Sequence, residues 1–138
     1  MNEQLHFYHV EGFAMADVNP SEDPMKVEKA ILSIFYPEAD VTIIKEASRI
    51  LVSFKGIKAL KKMQEQARVR RVRATLRRLL YLGLRENSST IMLNRQALTN
   101  GVIALCEDRR ESPLGPVYLK ITVDNFNAFV DWIAPVIR

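Results

Sequence analysis

The chain has 138 residues, of which 48% are hydrophobic and 26% are charged, and its 20 Lys and Arg outnumber its 16 Asp and Glu. This composition is typical of one globular domain and argues against a disordered chain, a collagen-like chain and a coiled-coil rod. No run approaches the ~20 apolar residues of a membrane-spanning helix, and a single cysteine cannot form an internal disulfide. We therefore expect a soluble, cytoplasmic protein with no membrane partner.

The first part of the chain predicts a strand, a helix and a pair of strands. Residues 5–18 mix apolar and β-prone side chains, as a long strand does, and Gly12 predicts a bulge or bend in it. The dipeptide Asp23-Pro24 is a helix start signal, and apolar residues at helical spacing follow it. Two β-rich runs then predict a hairpin or two paired strands, at 41–44 and 50–54.

The region 57–84 has a helical pattern whose apolar stripes do not share one face. One stripe occupies residues 57–67 and a second occupies residues 69–80, and they are out of phase at about 100° per residue. A single straight helix cannot direct both stripes to one core. We therefore predict a kink or break near Gln66–Val69 and a helix end near Gly83.

The last part of the chain predicts three strands and a helix. The strands are predicted at 89–93, 102–105 and 117–123, the last of which alternates strictly between apolar and polar residues. A helix over 126–133 follows, with Asp124 as its predicted cap. The element order β-α-β-β-α-α-β-β-β-α predicts one α+β domain over all 138 residues, with a mainly antiparallel mixed sheet and helices packed on one face.

Basic residues are concentrated in the middle of the chain. The segment from Lys55 to Arg85 contains eleven basic residues and one acid, Glu65, which gives it a charge of +10. The remaining residues include nine bases and fifteen acids, a charge of −6. Such an asymmetry indicates an anionic partner, with nucleic acid as the first candidate.

Arginines within this segment are spaced to form two rows on one helix, opposite its apolar face. Arg70, Arg73 and Arg77 make one row, and Arg71 and Arg78 make the other. Because a guanidinium can donate two hydrogen bonds to one phosphate, the rows predict a helix that contacts the RNA backbone. The predicted RNA-binding residues are Arg70, Arg71, Arg73, Arg77, Arg78, Lys62 and Arg68.

The basic segment has two alternative interpretations. It can be an ordinary solvated helix face, or its arginines can pair with acidic surfaces of this chain or of a partner. In the latter case the protein is a structural or assembly module, as a homodimer or as a subunit of a larger complex. No enzyme motif is present, and the only histidines, His6 and His9, lie on opposite sides of a predicted strand. We expect a non-catalytic protein with no metal and no cofactor.

Two further residues on a strand are secondary RNA-binding candidates. Tyr118 and Lys120 lie on the polar side of the 117–123 strand, where an aromatic ring and a base can stack on and clamp single-stranded RNA. An ordinary exposed tyrosine accounts for the same pattern. Cys106 follows an apolar run and is predicted to be buried without a chemical role.

Four stretches together resemble a known family. They are VNPSEDPMKV at 18–27, LNRQA at 93–97, SPLGP at 112–116 and WIAP at 132–135. In this order they resemble an uncharacterised archaeal family whose members are predicted to bind RNA and, in some cases, to be exosome-associated subunits. The resemblance implies an α+β fold similar to that of ribosomal protein L-five and an archaeal, cytoplasmic setting. The helix at 68–78 is richer in arginine here than in the family.

The second of these stretches supplies the remaining secondary candidates, Asn94, Arg95 and Gln96. Their polar side chains could contact RNA. The alternative is a structural turn, in which the Asn and Gln side chains bond to the local backbone beside a strand end.

Overall fold

A computed structural model describes residues 9–136 and gives them a seven-stranded sheet and five helices. The strands are β1 (Val10–Asp17), β2 (Asp40–Lys45), β3 (Arg49–Lys55), β4 (Leu84–Arg85), β5 (Ser88–Leu93), β6 (Leu105–Cys106) and β7 (Val117–Val123). The helices are α1 (Pro24–Leu32), α2 (Lys61–Val69), α3 (Arg73–Leu82), α4 (Arg95–Thr99) and α5 (Phe126–Ile133). The predicted α+β class is confirmed. None of the helices in the described part is long and apolar enough to cross a membrane.

β1 lies in the middle of the sheet, whose strand order is β2-β3-β1-β7-β5-β4, with β6 paired to β5. Every pairing between these strands is antiparallel. The register runs through Gly12 without interruption, so the predicted bulge is absent. Gly12 is instead a point of close approach, because a Cβ there would lie 1.9 Å from the carbonyl oxygen of Lys120 on β7.

The two faces of the sheet differ in what covers them. In β7 the odd-numbered residues from Val117 to Val123 are fully buried, whereas Tyr118, Lys120 and Thr122 are partly exposed. The buried side chains of β1, β3 and β5 lie on the same face by register and form one core with the helices. The helices therefore pack on one face, as predicted, and no helix of residues 9–136 covers the opposite face, which we call the open face.

The basic segment forms two helices, α2 and α3, and not one straight helix, as the apolar pattern predicted. A 3-10 turn over residues 57–60 leads into α2. The helical conformation is then interrupted at residues 70–72, before α3 begins. The break lies a few positions after the predicted Gln66–Val69, at Arg71, which has a left-handed backbone with φ of 60°. Gly83 caps the end of α3, which confirms that prediction.

Short elements account for most of the errors in the prediction. The strand expected at 102–105 is reduced to β6, because the backbone N–H of Ile103 donates to the Gln66 side chain. Helix α4 was not predicted, and the cap of α5 is Asn125 rather than Asp124. The predicted strand residues 5–8 lie outside the described part of the chain. Cys106 is buried, as predicted, and burial raises the pKa of its thiol.

Candidate nucleic-acid interface

The break between α2 and α3 divides the predicted arginine rows. Arg70 is the C-cap of α2, Arg71 lies in the turn, and Arg73 is the first residue of α3. Of the five arginines in the two predicted rows, only Arg73, Arg77 and Arg78 lie on α3. Two continuous helical rows are therefore incorrect, because a left-handed residue at position 71 ends the helical spacing on which they depend.

Three of the predicted RNA-binding arginines form ion pairs within the chain. The pairs are Arg68–Glu65 at 2.6 Å, Arg77–Asp131 at 2.8 Å and Arg78–Glu107 at 3.0 Å. Arg77 also donates to the carbonyl oxygen of Ala134 and lies over the ring of Tyr81, 5.7 Å from its centroid. Since Asp131 and Ala134 belong to α5 and its end, Arg77 holds α3 against α5 rather than projecting freely into solvent.

The other predicted RNA-binding residues have no acidic partner within residues 9–136. Arg70 donates to the carbonyl oxygen of Ile103 at 3.3 Å, and Lys62, Arg71 and Arg73 form no ion pair there. Lys58 and Lys61, which are exposed at the start of the same region, are likewise unpaired in the described part. We call this set the unpaired cations: Lys58, Lys61, Lys62, Arg70, Arg71 and Arg73. They extend from the 3-10 turn before α2, along α2, whose nine residues span about 13 Å, to the first residue of α3.

Arg95 lies inside the protein, where protein oxygens accept from its guanidinium. It is 4% exposed, and its nitrogens donate to the side chain of Glu22 at 2.7 Å and to the carbonyl oxygens of Asp17 at 2.7 Å and Gly115 at 2.9 Å. It joins the end of β1, the loop before α1 and the loop before β7. The structure therefore gives Arg95 an internal contact network, in contrast to the surface role of a phosphate-binding residue.

Glu22 is the acidic partner in this network. Burial alone raises the pKa of its carboxyl group, but hydrogen bonds from the backbone and side chain of Asn19 and from Arg95 outweigh burial and lower the pKa overall. The Asn19 bonds measure 3.0 Å from its backbone nitrogen and 2.8 Å from its side chain. Glu22 is therefore held ionised beside the buried guanidinium.

Asn94 and Gln96 bond to the backbone around them. The Asn94 side chain accepts from the N–H of Ala97, which caps α4, and donates to the carbonyl oxygen of Glu111. The Gln96 side chain donates to the carbonyl oxygen of Pro113. These contacts are those of a structural turn rather than of a surface that presents both side chains to RNA.

Tyr118 and Lys120 lie on the open face of the sheet. Tyr118 is opposite Met15 on one side and Met92 on the other, so its neighbours across the strands are apolar. The Lys120 ammonium lies 6.0 Å from the centroid of the Phe13 ring, a cation–π contact. These two candidates therefore belong to a different surface from the unpaired cations, which lie on the helical side.

Sequence reasoning missed the acids that pair with the arginines. Glu65, three residues before Arg68 in a helical region, was detectable from spacing alone. Asp131 and Glu107 are distant in sequence from Arg77 and Arg78, and only the fold brings them together. Among residues 9–136, no three His, Cys, Asp or Glu side chains are grouped closely enough to hold a metal ion.

Comparison with known proteins reveals relatives over most of the chain, although no family model matches it. A UPF0201 protein of Sulfurisphaera tokodaii is 36% identical over 124 residues, which cover 86% of this chain and 83% of that protein. A UPF0201 protein of Methanothermobacter thermautotrophicus is 33% identical over 120 residues, with 87% of each chain covered. The crystal structure of a UPF0201 protein from Methanococcus jannaschii superposes with a TM-score of 0.75 at 31% identity, covering 93% of this chain and 95% of that one.

Proposed function

We propose that this chain, which belongs to the UPF0201 family of archaeal proteins, is a non-catalytic RNA-binding protein that contacts phosphates through its unpaired cations. The observation that carries the proposal is the absence of acidic partners, within residues 9–136, for six basic residues that extend from the 3-10 turn before α2 to the first residue of α3. The names of the relatives state no ligand, so the proposal depends on this chain's own residues.

The chemistry of these residues fits a phosphate backbone better than it fits bases. Arg71 is exposed in the turn, and Arg73, which is partly exposed, is the first residue of α3, so two arginines lie two positions apart at the break between the helices. A guanidinium presents a planar fork to phosphate oxygens, and lysines add point charges along α2. Binding of this kind releases counterions and carries little sequence information. A link to the exosome and a fold similar to ribosomal protein L-five stay predictions from the resemblance.

The assembly hypothesis receives support from a different set of arginines. Arg68, Arg77 and Arg78 already pair with acids, as that hypothesis expects of the basic segment. All three acids belong to the same chain, however, so these pairs require no partner. The unpaired cations form no such pair within residues 9–136 and are available to bind something else. A polyanion matches a run of like charges interrupted only by Glu65 better than a protein surface of mixed charge does.

The proposal predicts a change in the salt dependence of RNA binding when Arg71 and Arg73 are replaced. Each phosphate contact contributes about 0.7 to the log–log salt slope for single strands, so Arg71→Ala/Arg73→Ala should flatten the slope by roughly 1.4. The affinity of the variant for unrelated single-stranded RNAs should fall by similar factors. Filter binding at three salt concentrations, with wild type and variant side by side, measures both effects.

A matched control removes the same charge from another helix. Lys26 and Lys29 are exposed on α1, which packs against α4, and Lys26→Ala/Lys29→Ala lowers the net charge by the same amount. We expect this variant to retain most of the wild-type salt slope. Equal flattening in both variants would indicate a response to net charge alone, and absence of RNA affinity in the wild type at low salt would exclude the function.

A further inference from the structure

An apolar row crosses the open face of the sheet, one residue from each of five adjacent strands. Register places the members of the row directly opposite one another: Ile44 on β2, Leu51 on β3, Met15 on β1, Tyr118 on β7 and Met92 on β5. Ile44 is 48% exposed, and the other four are partly exposed. The neighbouring row adds Phe13 at its centre. A contiguous exposed apolar surface of this kind on a globular domain usually marks a binding site.

The charges on the open face are nearly balanced in sign. By register, the five strands of the row carry three acids and three bases, and the short edge strand β4 adds a fourth base: Glu11, Asp17, Asp40, Arg49, Lys55, Lys120 and, on β4, Arg85. Asp17 and Arg49 are 3.7 Å apart, and Lys120 lies over Phe13. A polyanion needs a marked excess of positive charge, and the five strands of the row have none. A surface with nearly equal numbers of both signs around an apolar centre can instead be complementary to a second copy of itself.

The size of the face suits a protein interface. Five strands at about 4.8 Å spacing, each roughly seven residues long at about 3.3 Å per residue, give a face of about 24 by 23 Å, or roughly 550 Å² in projection. The accessible area of a surface covered with side chains exceeds its projection. The face therefore approaches the ~800 Å² per partner of a standard interface and exceeds most lattice contacts.

We infer that the open face is the interface with a second copy of this chain, with the two sheets packed face to face. β1 is the middle strand of the five, so Phe13 and Met15 occupy the centre of the interface, with Tyr118 beside them. Aromatic residues and methionine are enriched at the centres of protein interfaces, and charged residues are displaced to the rim. The side chains of the two copies would fill the ~10 Å layer that separates stacked sheets.

The dimer is tested by mass measurement on the full chain without RNA. Sedimentation equilibrium of the wild type over a dilution series should give a mass near twice the 15.8 kDa of the monomer. The variant Met15→Lys/Tyr118→Lys places two like charges at the centre of the interface and should sediment as a monomer. The matched control Val69→Lys/Leu82→Lys makes the same kind of change at side chains 60% and 68% exposed on α2 and α3, and should stay dimeric.

Circular dichroism distinguishes loss of assembly from loss of fold. If the lysine variant does not fold, Met15→Thr/Tyr118→Thr introduces threonine, a β-branched residue that favours strands, and should still dissociate the dimer. A wild-type monomer at tens of micromolar would overturn the inference. Dissociation of the Val69→Lys/Leu82→Lys control would overturn it as well, because it would place the contact on the helical side.

Discussion

Arg95 and Glu22 form an ion pair that is removed from solvent, with side chains 4% and 12% exposed. Two charges in such a place are stable only because each satisfies the other and because backbone carbonyls and Asn19 complete their hydrogen bonds. Removing either partner leaves an uncompensated buried charge. The pair therefore fixes the loop before α1 against the loop before β7.

The Glu22 carboxylate makes stability depend on pH in the acid range. Its folded-state pKa is lowered, so its contribution is fully present above the unfolded pKa of about 4.3 and is lost as pH falls through the folded value. Glu22→Gln should lower the free energy of unfolding at pH 7 by about 3 kcal/mol and should reduce the loss of stability below pH 4. Urea unfolding at neutral and acid pH measures both.

The exposed acid Glu38 provides the comparison for that measurement. Glu38→Gln should change stability at pH 7 by less than about 0.5 kcal/mol. If Glu22→Gln behaves as Glu38→Gln does, the buried pair does not stabilise the fold.

The role of an individual residue could be predicted from the sequence when its contact partners lie close to it along the chain. The cap made by Asn94 and the burial of Cys106 follow from neighbours in the chain, and both could be inferred from the local pattern. The partners of Arg95 in the fold, Glu22 and Asp17, lie 73 and 78 positions away. No local pattern shows such contacts, so an arginine in a polar stretch was taken as a surface candidate.

At the scale of elements, the turn between α2 and α3 determines where the arginines point. The out-of-phase apolar stripes predicted the break, because only a break lets both helices face one core. Its position was not predictable from the pattern, since Arg71 adopts a left-handed conformation that an arginine rarely takes and that residue type therefore does not indicate. The break itself was predicted, but the two arginine rows were wrong because they were placed on one continuous helix.

The left-handed conformation of Arg71 predicts that glycine is preferred there. A non-glycine residue with φ near 60° is strained by about 1–2 kcal/mol, whereas glycine costs about 0.4–1 kcal/mol in the unfolded state. Arg71→Gly should therefore stabilise the protein by roughly 0.5 kcal/mol, seen as a higher urea midpoint at unchanged m value.

The same substitution inside a helix should have the opposite effect. Arg78 lies within α3, and Arg78→Gly should cost about 1 kcal/mol through helix propensity. A lower urea midpoint for Arg71→Gly would mean that the arginine side chain stabilises the turn by more than the backbone strain costs.

The whole molecule has two surfaces of different character, and only one of them could be read from the sequence. The charge asymmetry located the basic region because its residues are consecutive. The apolar row could not be found in this way, since Met15, Leu51 and Tyr118 become neighbours only through strand register. In a face-to-face dimer the helical layers point away from the interface, so the proposed RNA contacts and the inferred assembly do not compete for one surface.

The position of β1 between β3 and β7 also has a consequence for how the chain folds. Val10 pairs with Val123, so the central strand joins the two ends of the described chain. Closing so long a loop costs entropy before any contact is gained, and chains with many such pairings fold slowly. We expect refolding in milliseconds to seconds by stopped-flow fluorescence of Trp132, and no cooperative unfolding in a fragment of residues 1–112, which lacks β7 and α5. A fragment that unfolds cooperatively would contradict this. During synthesis, β1 therefore cannot complete its pairing until β7 leaves the ribosome.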